Sequence, residues 1–357
     1  MLYSSKPYIN EEMINAAKKS LQEEFFVGGK SVELFEQEFA EYIGTDYAIA
    51  VASGTDALVV ALRCLNIKNT VITTSISFVA TAESIVLVNG KPKFVDINSN
   101  TWNINTKKIQ SAIDEDTEAI MPVHLYGQPC NMKEIMDIAE SNNLYVIEDC
   151  AQSHGAVFNG KKVGNFGEAN AFSFYATKNM TVCGNGGMIT TNDKKIADKS
   201  KLLREHGGAM FAKYVGYNAR MNTVNAAIGR IQLKYLDEWN EKRRKLAKLY
   251  FKELQNIEEI KLPFNDENAV YHLFVIEAEN RDNLKEHLKS KNIFCGIHYP
   301  IPIHQLEPYK IYVVKKQYPI SEYHALRNIS LPMYPALKEE EVKIVCNEIK
   351  SFYNGDE

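Results

Sequence analysis

Apolar residues recur along the first half of the chain in short blocks, several of them continuous rather than alternating, and turn-forming or polar residues separate them. The blocks YAIAVAS (47–53), TVITT (70–74), KPKFVDI (91–97), AIMPVHLY (119–126), LYVIEDC (144–150), ANAFSFY (169–175) and GMITT (187–191) read as strands. Unbroken apolar runs are expected of strands covered on both faces. Between the blocks the spacing changes to that of helices. Ser31–Gly44, SVELFEQEFAEYIG, has Ser31 placed to cap its start and Gly44 to end it; Asn131–Ser141 is a second such stretch. This alternation predicts an α/β fold with a mostly parallel seven-stranded sheet flanked by helices.

The rhythm then shifts. A long charged helix is predicted from about Val224 to Gln255, carrying DEWNEKRRKLAKLYFKEL. After Pro263, YHLFVIEA (271–278), RDNLKEHLKSKN (281–292) and EEEVKIVCNEIKSFY (339–353) suggest a small α/β unit. The expected division falls near residue 245. It gives a large domain over 1–245, with an N-terminal arm, and a small C-terminal domain over 246–357.

Composition narrows the partners. A chain of 357 residues exceeds what one compact core usually holds, in keeping with two domains. A formal charge of −4 gives no reason to expect nucleic acid or an anionic membrane. No apolar run approaches the length of a membrane span, and MLYSSKPYINEEM has no apolar signal core. The six cysteines form no CxxC pair and the eight histidines show no metal-ligand spacing. A reducing cytoplasm is expected, with neither a disulfide framework nor a metal.

Open parallel sheets bind ligands at the carboxyl ends of their strands, so polar residues just after strands come first. VASGTDAL (51–58) is strand, tight turn and helix start. The N–H groups of Thr55 and Asp56 would point outward from the first helical turn and could cradle a phosphate; a plain capped turn reads the same way. VIEDCAQSHG (146–155) ends a buried strand in Glu148 and Asp149. A carboxylate there is costly unless it meets a cation, and the choice is between a structural acid and a partner for a protonated ring nitrogen. In AFSFYATKNM (171–180), Lys178 arrives where a buried strand ends, just before the run CGNGG. Alone, such a lysine could snorkel to solvent or pair with an acid. A phosphate cradle, a strand-end aspartate and a strand-end lysine together are what a pyridoxal phosphate site needs. HYPIPIH (298–304) is either a surface turn or a loop covering a polar substrate.

The ordered set of motifs resembles the sugar aminotransferases of the DegT/DnrJ/EryC1/StrS family, which have fold type I of the pyridoxal phosphate enzymes. SGTDAL, SFVATAE (77–83), PVHLYGQP (122–129), IEDCAQSHGA (147–156), FSFYATKN with GNGGM, GYNARMN (216–222), AAIGRIQL (226–233) and HYPIPIH carry it across nearly the whole chain. By position, Lys178 resembles the Schiff-base lysine that moves the proton. Asp149 matches the acid on the pyridine nitrogen, Gln152 the amide beside the ring hydroxyl, and Phe78 the aromatic stacked on the ring. Thr55 and Asp56 (backbone) and Ser173 match phosphate contacts. Asn218 matches a residue reaching the phosphate of a neighbouring subunit, and Arg220, His298 and Tyr299 match nucleotide-sugar contacts. The family thus implies a homodimer with composite sites and pyridoxal 5'-phosphate that passes through pyridoxamine phosphate. It also implies L-glutamate as donor, leaving as 2-oxoglutarate, a nucleotide-linked keto sugar as acceptor, and a place in amino-sugar or polysaccharide biosynthesis.

Some relatives carry histidine at the lysine position and act as sugar dehydratases; Lys178 argues against that branch. SGTDAL and the distance from Lys178 to the glycine pair resemble 3-keto sugar enzymes, whereas C4 enzymes more often show SGTAAL and a run one residue shorter. The expectation is C3 amination, with C4 as the alternative. Asn185 stands where the family often has an acid. Two other readings are weighed. A cysteine desulfurase would place histidine before the lysine, where this chain has Thr177. A cofactor- or sugar-binding regulator would not need Lys178, Asp149 and Gln152 together.

Overall fold

The computed structural model describes residues 1–313 and 318–355. Four parallel strands lie side by side in the order Lys91–Val95, Thr70–Thr74, Thr117–Met121 and Tyr145–Val146. A second ladder has Tyr47–Val51, Gly187–Thr191 and Asn170–Ser173, with the middle strand antiparallel to both neighbours. The segment after Tyr145–Val146 joins the two. Asp149 makes parallel bridges to Val123 on one side and Ala171 on the other. The strand ladder thins to this single residue because the chain must leave the sheet there to form the loop 150–155.

The centre of the sheet is sealed on both faces, as its unbroken apolar runs require. Every residue of Thr70–Thr74 and of Gly187–Thr191 is buried. Helix Gly54–Cys64 contributes seven buried residues, Ala57 to Leu62 and Cys64, to one apolar cluster with the strands. Helix Lys30–Ile43 packs Phe35 and Phe39 against Phe172 and Phe174 on the opposite side. Its cap differs from the expectation. Gly29 is the capping residue, and Ser31 lies inside the first turn, its hydroxyl and its N–H both donating to Glu24. Gly44 ends this helix in a left-handed conformation, φ 84°.

Helix Thr223–Leu254 is 32 residues long and runs unbroken through position 245. Its buried positions recur every three or four residues, from Asn225 and Ile228 to Tyr250 and Leu254. From Leu246 onward it shares a separate apolar cluster with residues up to Ile349. There the antiparallel strands Ile260–Lys261, Phe274–Ala278 and Asn328–Leu331 form a small sheet, backed by helices Arg281–Ser290 and Glu339–Asn354. The N-terminal strand Leu2–Tyr3 pairs in parallel with Ile293–Phe294. Among the described residues, no helix is long and apolar enough to cross a membrane.

Candidate active site

The strand ends of the large sheet and two loops of the C-terminal unit enclose a cavity of about 510 Å³. Its floor is built where Tyr47–Val51 turns into helix Gly54–Cys64. Ser53 caps that helix: its Oγ accepts from the Asp56 N–H at 3.0 Å and donates to Asp56 Oδ2 at 2.7 Å. One expectation is corrected here. The Asp56 N–H is not free for a ligand, because the cap uses it. The Thr55 N–H remains, at a helix position with no carbonyl one turn back, and Thr55 lines the cavity. Ser173 ends its strand against this turn so closely that a Cβ on Gly54 would lie 2.6 Å from the Ser173 Cβ. Ser173 Oγ accepts weakly from the Tyr175 N–H, at 3.4 Å, which leaves its own proton to donate. A helix start, a bare N–H and a hydroxyl make an anion cradle.

Glu148 and Asp149 are neighbours with opposite duties, because adjacent residues in extended chain face opposite sides. Glu148 is wholly buried. It accepts from the Gly164, Phe166 and Gly167 N–H groups and from His124 Nε2. Burial alone would raise its pKa; the His124 ring and these N–H groups outweigh it and hold the pKa below the ordinary value. His124, Glu148 and Cys150 bring possible metal ligands within 4.8 Å of one another. The Cys130 N–H already occupies His124 Nδ1, and four donors occupy Glu148. The group is a clamp on the 164–167 loop.

Asp149 faces the cavity. Its Oδ2 accepts from the Thr81 hydroxyl at 2.8 Å and its Oδ1 from the Ala151 N–H at 3.1 Å. Burial raises its pKa against the pull of these donors and of Lys178. Gln152 is fixed at both ends of its amide. Its Oε1 accepts from the Tyr126 N–H at 2.7 Å, and its Nε2 donates to the Tyr299 hydroxyl at 3.1 Å.

Lys178 follows a tight turn in which its N–H donates to the Tyr175 carbonyl at 2.9 Å. Lys178 lines the cavity and is half-buried. Burial brings its pKa down to about 8, with Asp149 opposing. A lysine that sheds its proton this easily can serve as nucleophile and base near neutral pH. Phe78 and Tyr299 face each other across the opening, ring centroids 6.1 Å apart. His298 is held by Asn328 and by Ser330 Oγ at 2.8 Å; burial, then Lys178, lowers its pKa to about 4.

Thus Thr55, Phe78, Asp149, Gln152, Ser173, Lys178, His298 and Tyr299 share one cavity. Asn218 and Arg220 lie outside its wall: Arg220 pairs with Glu205 at 2.7 Å and donates to Asn218 Oδ1 at 2.8 Å. Three features of the wall escaped the sequence reading. Thr81 lies one helical turn after Phe78, so helical spacing could have found it. His272 and the arm residues Ser4 and Ser5 also line the cavity, and no local signal marks them.

The model of the DegT/DnrJ/EryC1/StrS aminotransferase family matches residues 7–350, and the chain belongs to that family. Among its relatives, dTDP-3-amino-3,6-dideoxy-alpha-D-galactopyranose transaminase of Aneurinibacillus thermoaerophilus is 39% identical, over 96% of this chain and 95% of its own length. GDP-perosamine synthase of Escherichia coli O157:H7 is 37% identical over 91% of each. A solved structure of S. venezuelae DesV, described as a complex with a ketimine intermediate, superposes with a TM-score of 0.93 and 33% identity, covering 96% of this chain and 94% of that one.

Proposed function

We propose that this protein transfers the amino group of L-glutamate to a nucleotide-linked keto-deoxy sugar, at C3, using pyridoxal 5'-phosphate. The observation that carries the reading is the meeting of Lys178, Asp149, Gln152 and the Gly54 helix start around one cavity. These residues suit the cofactor. The cradle of the Thr55 N–H and Ser173 hydroxyl would hold its phosphate, and Asp149 would accept from its ring nitrogen. Gln152 would meet the ring hydroxyl and Phe78 would cover one face. When bound, the cofactor supplies an electron sink for a carbon next to the migrating nitrogen. The chain supplies the rest: Lys178 Nζ would take a proton from one carbon and return it to another. His298 and Tyr299 would meet the sugar. Three relatives support C3 by name, since their names carry 3-amino or 3-aminotranferase. The perosamine synthase keeps C4 amination as the alternative.

The acting unit in this reading is a homodimer in which the second copy supplies Asn218 and Arg220. Both lie outside the chain's own cavity, beside a segment with Met210, Phe211 and Val215 at least 84% exposed. Such apolar exposure suits burial against another copy. A cytoplasmic setting agrees with six unpaired cysteines.

The test is a visible spectrum of the cofactor-loaded protein during titration with 3-amino and 4-amino nucleotide sugars and with glutamate. Loading should give a yellow protein. Glutamate and the 3-amino sugar should bleach it, and the 4-amino sugar should not. Bleaching by the 4-amino sugar alone would transfer the activity to C4. Lys178→Ala should load without a covalent link and lose turnover by about 100-fold or more.

A further inference from the structure

Behind the loop that carries His298 and Tyr299 lies a buried polar network that the proposed function leaves unused. Tyr126 stands at its head. Its N–H holds Gln152 Oε1, and its hydroxyl donates to the His298 carbonyl. The same hydroxyl lies 3.0 Å from Nε2 of His324, on helix Pro319–Arg327. His324 Nδ1 lies 2.7 Å from Oε1 of Glu277, on strand Phe274–Ala278. Tyr126, His324 and Glu277 are all buried, and Glu277 Oε2 faces the amine of the exposed Lys261 at 3.6 Å. These contacts fix how many protons the three residues hold. A carbonyl only accepts, so the single phenolic proton of Tyr126 goes to His298. Burial, then Tyr299 and Glu277, raises the Tyr126 pKa, so that proton stays. The Tyr126 oxygen is then the acceptor, and His324 Nε2 must carry a proton. The contact between Nδ1 and Oε1 needs one more, on the ring or on the carboxyl. The three residues therefore hold one proton beyond those of a phenol, a neutral imidazole and a carboxylate.

We propose that Tyr126 is a positioning residue for the sugar-facing loop, and that the proton shared by His324 and Glu277 makes its hydroxyl donate to the His298 carbonyl. Were Nε2 bare, it would compete for the Tyr126 proton, and the His298 carbonyl would lose its donor. Burial pushes the His324 pKa down, and the contact with Glu277 opposes it. With the proton on either partner the pair is neutral as a whole; losing it would leave a net negative charge in the core, which burial disfavours. Asn328 holds the other side of the loop. Its Oδ1 accepts from the His298 N–H at 2.9 Å, and its Nδ2 donates to the Tyr299 carbonyl at 3.1 Å and to the His324 carbonyl at 3.0 Å. Tyr126 thus ties Gln152, on the cofactor side of the cavity, to His298 and Tyr299, on the sugar side. A loop fixed before the sugar arrives spares binding the cost of ordering it. The meaning of this for the sugar rests on the function proposed above; the order of the protons does not.

Two measurements test it. Nitrogen-15 histidine spectra of the wild type at pH 7 should show a proton on His324 Nε2. The signal is assigned by its loss in His324→Gln or, if that variant does not fold, by Overhauser contacts to the Trp102 ring, whose centroid lies 4.6 Å from that of His324. A bare Nε2 would overturn the proposal. The second measurement is bleaching of the cofactor-loaded enzyme. In Tyr126→Phe, the half-saturating concentration of whichever amino nucleotide sugar bleaches the wild type should rise about tenfold, while the rate of bleaching by glutamate stays within about twofold. Unchanged sugar saturation in a folded Tyr126→Phe would overturn the proposal. An equal loss in both half-reactions would do the same, because it marks general damage. In Glu277→Gln the amide can donate to Nδ1 and leave the Nε2 proton in place, so both half-reactions should stay near wild type. Weak sugar binding in that variant with a bare Nε2 would support the proposal, and weak binding with Nε2 still protonated would sink it. If Tyr126→Phe does not fold, the Nε2 proton in the wild type decides. If neither glutamate nor an amino nucleotide sugar bleaches the wild type, the functional reading fails and the Nε2 result still stands.

Discussion

The two acids that end one strand show how far a residue's environment decides its use. Glu148 is satisfied by four donors, so its charge stabilises the fold. A carboxylate whose folded pKa is depressed contributes stability that is present above its unfolded pKa and lost as pH falls through the folded one. Glu148→Gln turns an amide towards N–H donors and should cost about 3 kcal/mol at pH 7, read from urea midpoints, with a flatter loss of stability below about pH 4.5. Lys178 shifts the other way. Its folded pKa is about 8 against 10.5 for an unperturbed lysine, so between these values the unfolded chain holds more protons. Stability should therefore rise with pH across that window because of this group. The unfolding free energy of the wild type minus that of Lys178→Met, both without cofactor, should grow from pH 8 to pH 10. At about 1.4 kcal/mol per pKa unit, and with the cavity partly wet, the growth is on the order of 2 kcal/mol. A flat difference would mean that the amine is not desolvated.

At the scale of elements, strands and helices were largely legible, because unbroken apolar runs and helical spacing are local properties. Direction within the sheet was not. GMITT reads as a buried strand whichever way it runs, and only the ladder shows that Gly187–Thr191 is antiparallel to both neighbours. The site was legible where its residues follow strands in sequence, as Asp149, Ser173 and Lys178 do. His272 reaches the cavity only through the packing of the small sheet, which no local pattern encodes. The capped turn and the phosphate cradle could not be told apart in the sequence, since a capping serine and a ligand use the same donors, and Ser53 in fact takes the Asp56 N–H. The fit between the cradle and its neighbours gives a test. A Cβ on Gly187 would lie 2.2 Å from the Ser53 carbonyl oxygen and 2.9 Å from the Gly54 N. Both are backbone atoms, so the turn itself must move. Gly187→Ala should cost about 1–3 kcal/mol in stability. It should also weaken pyridoxal phosphate binding at least about tenfold by equilibrium absorbance titration, since the helix start no longer meets Ser173.

At the scale of the molecule, Asn218 and Arg220 carry motif positions yet lie away from the cavity of their own chain. A sequence shows which residues a motif contains and not which copy of the chain receives them. If each site takes Lys178 from one subunit and Arg220 from the other, two defective chains can restore each other. Lys178→Ala and Arg220→Ala homodimers should each be impaired, the first by about 100-fold or more and the second chiefly in sugar KM. In a mixed dimer one site inherits both defects, and the other receives intact Lys178 and intact Arg220 from opposite chains. Co-expression in equal amounts makes about half of the dimers mixed, each with one sound site, so the pool should recover about a quarter of wild-type activity at low sugar concentration. If the sites are not shared, every mixed dimer holds one dead and one weak site, and the pool cannot exceed the average of its parents. The two outcomes separate most clearly at sugar concentrations below the Arg220→Ala KM, where that variant alone contributes little.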